Sequence, residues 1–334
     1  TASLLTTGQM FLRLGLATVI VVGNSLVVSG NTTLFTYILF LIAASRLYDP
    51  LSGAMSNMAE LFSVQLQVNR LKEIEEYPEE AGEKNIHTNG YDITFDHGKG
   101  VYLYDINGKK YLDFYSGIGV NSFGHDYQPY TDALCNQMHR LMHISNYFNS
   151  VEAIEAAEAV VKATKLNRVF FTNSGAEATE GALKLARKYY YEKHHQADSE
   201  IISLKHSFHG RTTGSVTLTG TPAYQEAFGP LLPGVKYASI NDLESVKQLI
   251  TPRTAAIIFE PVQGEGGIHV CTQEFMSGIR QLCDDHDIVM ILDEVQCGMG
   301  RTGTIMTYFQ YGIMPDIVCL AKGIGAGFPM GAFV

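Results

Sequence analysis

The sequence of 334 residues lacks tryptophan and any cysteine pair with CxxC spacing. Its five cysteines are scattered and odd in number, which argues against a disulfide framework and indicates reduced thiols in a protein that faces the cytosol. Basic residues are also few, 24 against 34 acidic ones, and the net charge of −10 argues against nucleic acid as a general partner. The length allows two domains or one large domain.

Charged side chains are absent from residues 14–45. This stretch is apolar with a polar break at residues 29–31, and each half has about sixteen residues, fewer than the ~20 that a membrane-spanning helix needs. Flanking residues extend both halves, so we predict two transmembrane helices within residues 10–48, joined by a tight turn. Arg13 and Arg46, at the two feet, predict that both ends lie in the cytoplasm. The alternative is a buried helical hairpin of a soluble protein.

The residues after this stretch predict an amphipathic helix over 51–80. Three segments, LLTTGQM, VSGNTTLFTYILFL and SVQLQVNRLKEIEEYPEE, resemble the last two transmembrane helices and the exit helix of an ABC exporter permease, over residues 1–80. No GxxxxGK[ST] motif for nucleotide binding occurs anywhere in the chain, so a transport function is not supported. A polar junction, residues 81–90, follows.

From residue 91 onward the pattern is that of an α/β protein. The segment VYLYDINGKKYLDF (101–114) has two alternating runs around Asn107-Gly108, which predicts a β-hairpin. Helices are predicted within 134–143 and 151–164. Short apolar runs, most of them separated by segments of helical length, predict a mostly parallel sheet, whose ligands gather at the carboxyl ends of its strands. Five such runs are RVFFT (168–172), EIISL (200–204), AAIIFE (255–260), IVMILDE (288–294) and DIVCLA (316–321).

A phosphate-binding helix start is predicted after the first of these runs. Ser174 and Glu177 have the spacing of a capping box, and Gly175 and Ala176 leave the first backbone N–H groups of the helix open to a ligand. Unpaired donors and the helix dipole suit a phosphate. Any capped helix shares part of this pattern, so the motif alone leaves a purely structural cap open.

Two ionisable residues follow later strands. Asp293 at the end of a buried strand requires a cationic partner, and a pyridinium N–H would serve; a helix cap or a metal ligand is the alternative. Gln296 is a further polar group close to the same position. Lys322 lies among small residues in KGIGAGFPMGA, where partial desolvation would lower its pKa and favour attack on a carbonyl; the alternative is a surface lysine.

The remaining candidates lie in SFHGRT (207–212) and FEPVQGEGG (259–267). Phe208 can stack on a flat ring and Arg211 can bind a carboxylate, although a core phenylalanine and a surface arginine are the common alternatives. His209 is interpreted as structural. Glu260 and Glu265 follow a further strand. Together, the strand ends provide a phosphate cradle, a stacking aromatic, acids, a pyridinium partner and a lysine, which is the set that a pyridoxal phosphate site needs. No metal site is predicted.

The segments NSGAEATEGALKLARKY, HSFHGRT, FEPVQGEGG, LDEVQCGMGRTG and LAKGIGAGFPMGA, in this order, resemble class III aminotransferases of fold type I, over about residues 90–334. The segments GVYLYDINGKKYLDFYSGIGVNSFGH and HISNYF are similar to the acetylornithine/ornithine type. The resemblance implies pyridoxal phosphate as cofactor and transfer of an amino group from an amino acid to a 2-oxoacid.

The resemblance also implies roles for individual residues. Lys322 would form the Schiff base and move a proton between the substrate α-carbon and the cofactor. The other implied roles are as follows: Asp293 pairs with the pyridine nitrogen, Gln296 bonds the ring hydroxyl, Val295 and Phe208 sandwich the ring, Ser174, Gly175 and Ala176 hold the phosphate, Arg211 binds a substrate carboxylate, and Glu260 and Glu265 line the substrate side.

In this family a further stretch follows the lysine and contributes to a homodimer, so the sequence predicts an incomplete aminotransferase domain at 91–334. Two other functions stay open at this point. One is a non-catalytic, membrane-associated fusion with a permease remnant. The other is an aminomutase, or a 4-aminobutyrate-type aminotransferase, of the same class.

Overall fold

The computed structural model describes residues 18, 20–42, 93–145 and 147–334. The chain divides into two compact units, Thr1–Tyr91 and Asp92–Val334. The amphipathic helix predicted at 51–80 and the junction at 81–90 lie outside the described residues. The domain boundaries at 80 and 91 therefore stay a prediction.

In the first unit, residues 20–28 form helix α1 and residues 34–42 form helix α2. The predicted polar break is confirmed as the turn between them, where Gly30 has a φ of +73°. The two helices are in contact, as the hydrogen bond from the Tyr37 hydroxyl to the Ile20 carbonyl (3.0 Å) shows. A Cβ on Gly23 would lie 2.0 Å from the Tyr37 ring, so only glycine allows this approach.

The membrane spans predicted within residues 10–48 do not find support in the described residues. None of the helices described is both long enough and apolar enough to cross a membrane. The apolar composition of this stretch is nonetheless visible on its surface, where Val21, Val28 and Phe35 are exposed.

The second unit begins with a small antiparallel sheet of three strands, β1 (Phe95–Lys99), β2 (Tyr102–Asp105) and β3 (Lys110–Leu112). Strands β2 and β3 confirm the predicted hairpin around Asn107-Gly108. The Asp105 carboxylate closes the turn by accepting from the amides of Asn107 (2.9 Å) and Lys109 (2.8 Å).

A seven-stranded sheet forms the centre of the second unit, in the spatial order β4-β12-β11-β10-β7-β5-β6. All neighbouring strands are parallel except at β12, which is antiparallel to both of its neighbours. This confirms the predicted fold class, an α/β protein with a mostly parallel sheet. The strands are β4 (Phe170–Thr172), β5 (Glu200–Leu204), β6 (Val235–Ala238), β7 (Thr254–Phe259), β10 (Val289–Asp293), β11 (Ile317–Leu320) and β12 (Gly331–Phe333); β8 (Val262–Gln263) and β9 (His269–Val270) form a separate hairpin.

Helices cover the sheet, and several of them begin with a side-chain cap. Ser174 and Thr272 each accept a backbone N–H of the first turn that follows. The helices of this unit are α3 (Gln128–Arg140), α4 (Val151–Thr164), α5 (Gly175–His194), α6 (Thr213–Leu218), α7 (Leu243–Lys247) and α8 (Gln273–His286). The prediction of a helix over 134–143 is therefore correct only as far as Arg140.

The core lies on both faces of the central sheet. On one face, alternate strand residues such as Ile257, Phe259 and Met290 pack with α8. On the other, Ile258 and Ile291 pack with α5. Strands buried on both faces must be apolar throughout, which explains why they read as continuous apolar runs in the sequence.

Two strands of the sheet were not predicted. Strand β6, VKYA, is interrupted by a lysine, and its apolar run is shorter than the others. Strand β12 has only three residues and follows a glycine-rich loop, so its local sequence carries no strand signal. It is specified by tertiary contact, since it lies between β11 and β4.

Candidate functional site

A cavity of about 440 Å³ lies at the carboxyl ends of the central strands. Five strands, β4, β5, β7, β10 and β11, direct their ends or following loops toward it, as the sequence predicted. All of the predicted site residues line its wall: Ser174, Gly175, Ala176, Phe208, Arg211, Glu260, Glu265, Asp293, Val295, Gln296 and Lys322. The structure thus brings the whole predicted set together, although their chemical roles remain predictions.

One end of the cavity is the N-terminus of α5. Ser174 Oγ accepts the Glu177 amide (3.2 Å), and the Glu177 carboxylate accepts the Asn173 amide (2.6 Å), which is a reciprocal capping arrangement. Within the described part of the chain, the amides of Gly175 and Ala176 have no hydrogen-bond partner. Two free donors at the positive end of a twenty-residue helix suit an anion, and this end of the cavity is the candidate anion site.

Close packing keeps this end of the cavity narrow. A Cβ on Gly175 would lie 3.1 Å from the Val295 side chain, and one on Gly331 would lie 2.5 Å from the Ser174 carbonyl oxygen. Glycine at these two positions lets β12 and the loop after β10 approach the start of α5. The anion site and the loop that carries Val295 therefore have a fixed separation.

Asp293 and His209 form a buried pair at the floor of the cavity. The His209 Nδ1 atom lies 2.8 Å from Asp293 Oδ2, and neither side chain is more than 4% exposed. Asp293 Oδ1 accepts the Val295 amide (3.0 Å). In the described residues His209 Nε2 is buried without a partner. The pair holds the carboxylate in one orientation at the cavity floor.

Lys322 lies in the short 3₁₀ turn that follows β11, the strand next to β10. Its φ is +51°, a left-handed conformation that costs free energy for a residue with a Cβ. Burial lowers the pKa of the Lys322 amine below its usual value, and the carboxylates of Asp293 and the two glutamates oppose this effect. The direction agrees with the prediction of a lysine made more nucleophilic by desolvation.

Glu260 is the most deeply buried acid on the wall after Asp293. It is 5% exposed, and its carboxylate accepts the Phe208 amide (3.0 Å) and the Gly264 amide (3.4 Å). Burial raises the pKa of the Glu260 carboxyl to about 7, and the Asp293 charge adds to the increase. Glu260 thus fixes the backbone of Phe208 and can carry a proton near neutral pH.

The aromatic and basic groups of the wall lie together. The Phe208 and Tyr224 rings meet edge to face, with centroids 5.6 Å apart. The Arg211 guanidinium lies 5.9 Å from the Phe208 centroid and 5.0 Å from that of Tyr224, and it is exposed at the mouth. An arginine held on aromatic faces at a cavity entrance suits the carboxylate of an entering ligand.

Sequence reasoning missed several wall residues. His209 was interpreted as structural, and only its contact with Asp293 indicates otherwise. Val120, which is far from the other wall residues in sequence, and residues 327–330, which follow Lys322 in the same loop, also line the cavity. No local pattern marks them, because their position depends on the tertiary fold.

Known proteins resemble this chain in both sequence and structure. The family model for class-III aminotransferases matches residues 84–334. An acetylornithine aminotransferase from Methanocaldococcus jannaschii is 51% identical over 237 residues, 71% of this chain and 60% of that protein. A succinylornithine transaminase from Salmonella typhimurium is 47% identical over 237 residues, covering 71% of this chain and 58% of that protein.

A solved ornithine aminotransferase from Toxoplasma gondii, with partial occupancy of PLP at its active site, superposes with a TM-score of 0.71 and 31% identity. The match covers 75% of this chain and 60% of that one. The chain thus spans about 60% of the length of the relatives it matches. The family match, the superposed fold and the cavity at the strand ends agree, and the chain belongs to the class-III aminotransferases.

Proposed function

We propose that this chain binds pyridoxal phosphate and contributes the cofactor-binding part of an aminotransferase. The observation that carries the proposal is a single cavity lined by a half-buried lysine, a buried Asp–His pair and a helix N-terminus with two free amides. Relatives that are 47–51% identical are named aminotransferases or transaminases, which supports the same activity.

The residues fit this cofactor at three points. The free amides of Gly175 and Ala176 suit its phosphate. Asp293 suits a protonated ring nitrogen, since a carboxylate buried beside a cation is stabilised. Phe208 and Val295 are apolar side chains on the cavity wall that suit the two faces of a ring. When bound, pyridoxal phosphate supplies an aldehyde and a ring that accepts an electron pair.

Each protein group then has a separate task. Lys322 would hold the cofactor through its amine and, when that amine is free, would move a proton at the substrate α-carbon. Asp293, oriented by His209, would hold a proton at the ring nitrogen. Gln296 would donate to the ring hydroxyl.

We propose an ornithine-type amino donor and a 2-oxoacid acceptor. The relatives' names, acetylornithine, succinylornithine and ornithine aminotransferase, share the ornithine skeleton. Arg211 supplies a cation for a carboxylate, and Glu265 supplies a carboxylate on the same wall. Product analysis with ornithine-like and 4-aminobutyrate-like donors separates this proposal from a 4-aminobutyrate-type enzyme or an aminomutase.

The first experiment is borohydride reduction of the protein with pyridoxal phosphate, followed by peptide mapping. We expect a visible absorption band and a label on Lys322, with no label at that site in Lys322→Ala. Lys162→Ala, which removes a lysine on α4 away from the cavity, is the matched control and should label as wild type. Absence of the band, or label spread over many lysines, would contradict the proposal.

We also propose a homodimer in the cytoplasm. Large aromatic side chains are exposed on the second unit, with Phe114 at 90% and Tyr147 at 93%, and such surface is typical of an interface. All five cysteines are free, which fits a reducing compartment. Sedimentation of the purified chain tests the oligomeric state, and a monomer at all concentrations would contradict it.

A membrane association of the first unit is a further proposal. It is supported by the exposed apolar side chains of Val21, Val28 and Phe35. We expect the full chain to sediment with lipid vesicles, and the double variant Val21→Asp/Phe35→Asp to stay in the supernatant. Equal partitioning of both proteins would contradict the proposal.

A further inference from the structure

The turn Ser116–Gly119 has an unusual backbone. Four consecutive residues have positive φ: 52° at Ser116, 64° at Gly117, 64° at Ile118 and 74° at Gly119. A β-branched residue such as Ile118 is a genuine outlier in this region, because its side chain is crowded by the backbone. Strain of this kind persists only where the surroundings fix the conformation, and it is most frequent at functional sites.

The turn is held from its N-terminal side by Asp113. The Asp113 carboxylate accepts the amides of Tyr115 (3.0 Å) and Ser116 (2.7 Å), and it also bonds His125 (2.8 Å). These contacts belong to the same loop. They fix the entry to the turn. Its exit is closed within the loop by the amides of Val120 and Asn121, which donate to the Ser116 carbonyl, while the Gly119 carbonyl accepts from another part of the chain.

Arg301 supplies that second contact. Its guanidinium donates to the Gly119 carbonyl (3.0 Å) from a position 182 residues later in the chain. Arg301 lies in the loop that follows Gln296, so the bond joins the turn to the loop that leaves β10. Arg301 lines no part of the cavity, in contrast to Val120, which directly follows the turn.

Residues that follow the turn contact the loop that carries the lysine. A Cβ added to Gly327 would lie 3.1 Å from the Asn121 carboxamide oxygen. A Cβ added to Gly323 would lie 3.2 Å from the Ser122 hydroxyl, so both glycines pack closely against these side chains. Val120 directly precedes Asn121 and Ser122 in the chain and is part of the cavity wall. Its position depends on the strained turn and on whatever fixes that turn.

We propose that Arg301 is a positioning residue that holds the left-handed turn Ser116–Gly119 and thereby sets Val120 as a wall of the cavity that receives the amino donor. The inference deepens the proposed function and rests on it for the identity of the ligand. In the described residues no hydrogen bond joins Arg301 to the groups proposed to hold the cofactor, at the start of α5 and at Asp293. Loss of the Arg301 side chain should therefore weaken binding of the amino donor more than binding of the cofactor.

The first test is amide hydrogen exchange in Arg301→Gln, which needs no activity. The amides of Val120 and Asn121 both donate to the Ser116 carbonyl (2.8 and 3.0 Å), and we expect them to exchange at least about fivefold faster, as expected for loss of one net hydrogen bond. Arg168→Gln removes an exposed arginine outside the cavity and is the matched control. Wild-type exchange rates at the amides of Val120 and Asn121 in Arg301→Gln would contradict the proposal that Arg301 holds the turn.

The second test separates donor binding from cofactor binding. We expect Arg301→Gln to raise the KM for the amino donor roughly fivefold with an unchanged Kd for pyridoxal phosphate, and Arg301→Lys, which keeps one donor group, to be intermediate. Adding Ile118→Gly to Arg301→Gln should slow exchange at the Val120 and Asn121 amides and lower the KM, in each case part of the way to the wild-type value. The reason is that glycine adopts positive φ without strain.

Equal changes in KM and in cofactor Kd, or no rescue by Ile118→Gly, would overturn the proposal. If the wild-type chain gives no absorption band with pyridoxal phosphate, the proposed function fails, whereas the exchange measurement still decides the role of Arg301. If Arg301→Gln does not fold, the same comparisons are made with Arg301→Lys against Arg168→Lys.

Discussion

His209 determines how Asp293 is presented at the floor of the cavity. Its Nδ1 atom contacts a carboxylate that is 3% exposed and has only one other hydrogen bond in the described residues, from the Val295 amide. A buried charge that loses a partner retains its full desolvation cost. The pair is thus both a stabilising contact and a means of orienting the carboxylate.

We expect His209→Leu to lower the free energy of unfolding by about 2–3 kcal/mol, because it leaves Asp293 Oδ2 unpaired. The same variant should weaken pyridoxal phosphate binding. His209→Asn, whose amide can still donate to Asp293, is the control and should retain most of both properties. Urea denaturation and cofactor titration provide the measurements, and equal behaviour of the two variants would contradict the orienting role.

Two helices of this protein begin with the same cap, and only one of them faces the cavity. Ser150 Oγ accepts the Ala153 amide at the start of α4 (3.2 Å), just as Ser174 Oγ accepts the Glu177 amide at the start of α5 (3.2 Å). The local stabilising effect of the two serines should therefore be similar. Their effects on a bound phosphate should differ.

We expect Ser150→Ala and Ser174→Ala each to lower the free energy of unfolding by about 1 kcal/mol, the usual loss of a serine cap. Only Ser174→Ala should also weaken the binding of pyridoxal phosphate, since the Gly175 and Ala176 amides follow Ser174 directly. Thermal denaturation and cofactor titration of both variants test this. A similar loss of cofactor affinity in Ser150→Ala would show that the effect is only global.

The elements that sequence could predict are those whose information is local. Strand ends such as Phe259-Glu260 and Leu292-Asp293 follow buried runs, so the lysine, the aspartate and the phosphate cradle could be assigned to one edge of the sheet before their positions were known. By contrast, β12 and Val120 could not be predicted. Three residues after a glycine-rich loop carry no strand pattern, and a valine after a turn carries no sign of the cavity it faces.

The stability of the second unit as a whole should depend on pH through two buried acids. Burial raises the pKa of Glu260 and of Glu294 from 4.5 to about 7. Between about pH 4.5 and 7 the folded chain keeps protons that the unfolded chain releases. Because the folded state binds more protons, its stability falls as the pH rises through this window. Above about pH 7 these two groups contribute little further change.

We expect the free energy of unfolding to be lower at pH 8 than at pH 5.5, with a contribution from Glu260 on the order of 3 kcal/mol over its full titration. Glu260→Gln, which is neutral at every pH, should reduce this dependence. Glu158→Gln, on the exposed side of α4, is the control and should leave it unchanged. An identical pH profile for wild type and Glu260→Gln would contradict the assignment.

Strand β12 has a consequence for how the lysine reacts. The loop that carries Lys322 runs over only ten residues, 321–330, from the end of β11 to the start of β12. Both strands are fixed side by side within the sheet, so the chain on either side of the lysine has little freedom. An amine confined in this way meets an aldehyde in the cavity at a high effective molarity, whereas exposed lysines must react by bimolecular encounter. Selective labelling at Lys322 would then follow as much from the short loop that confines the amine as from the lowered pKa of that amine.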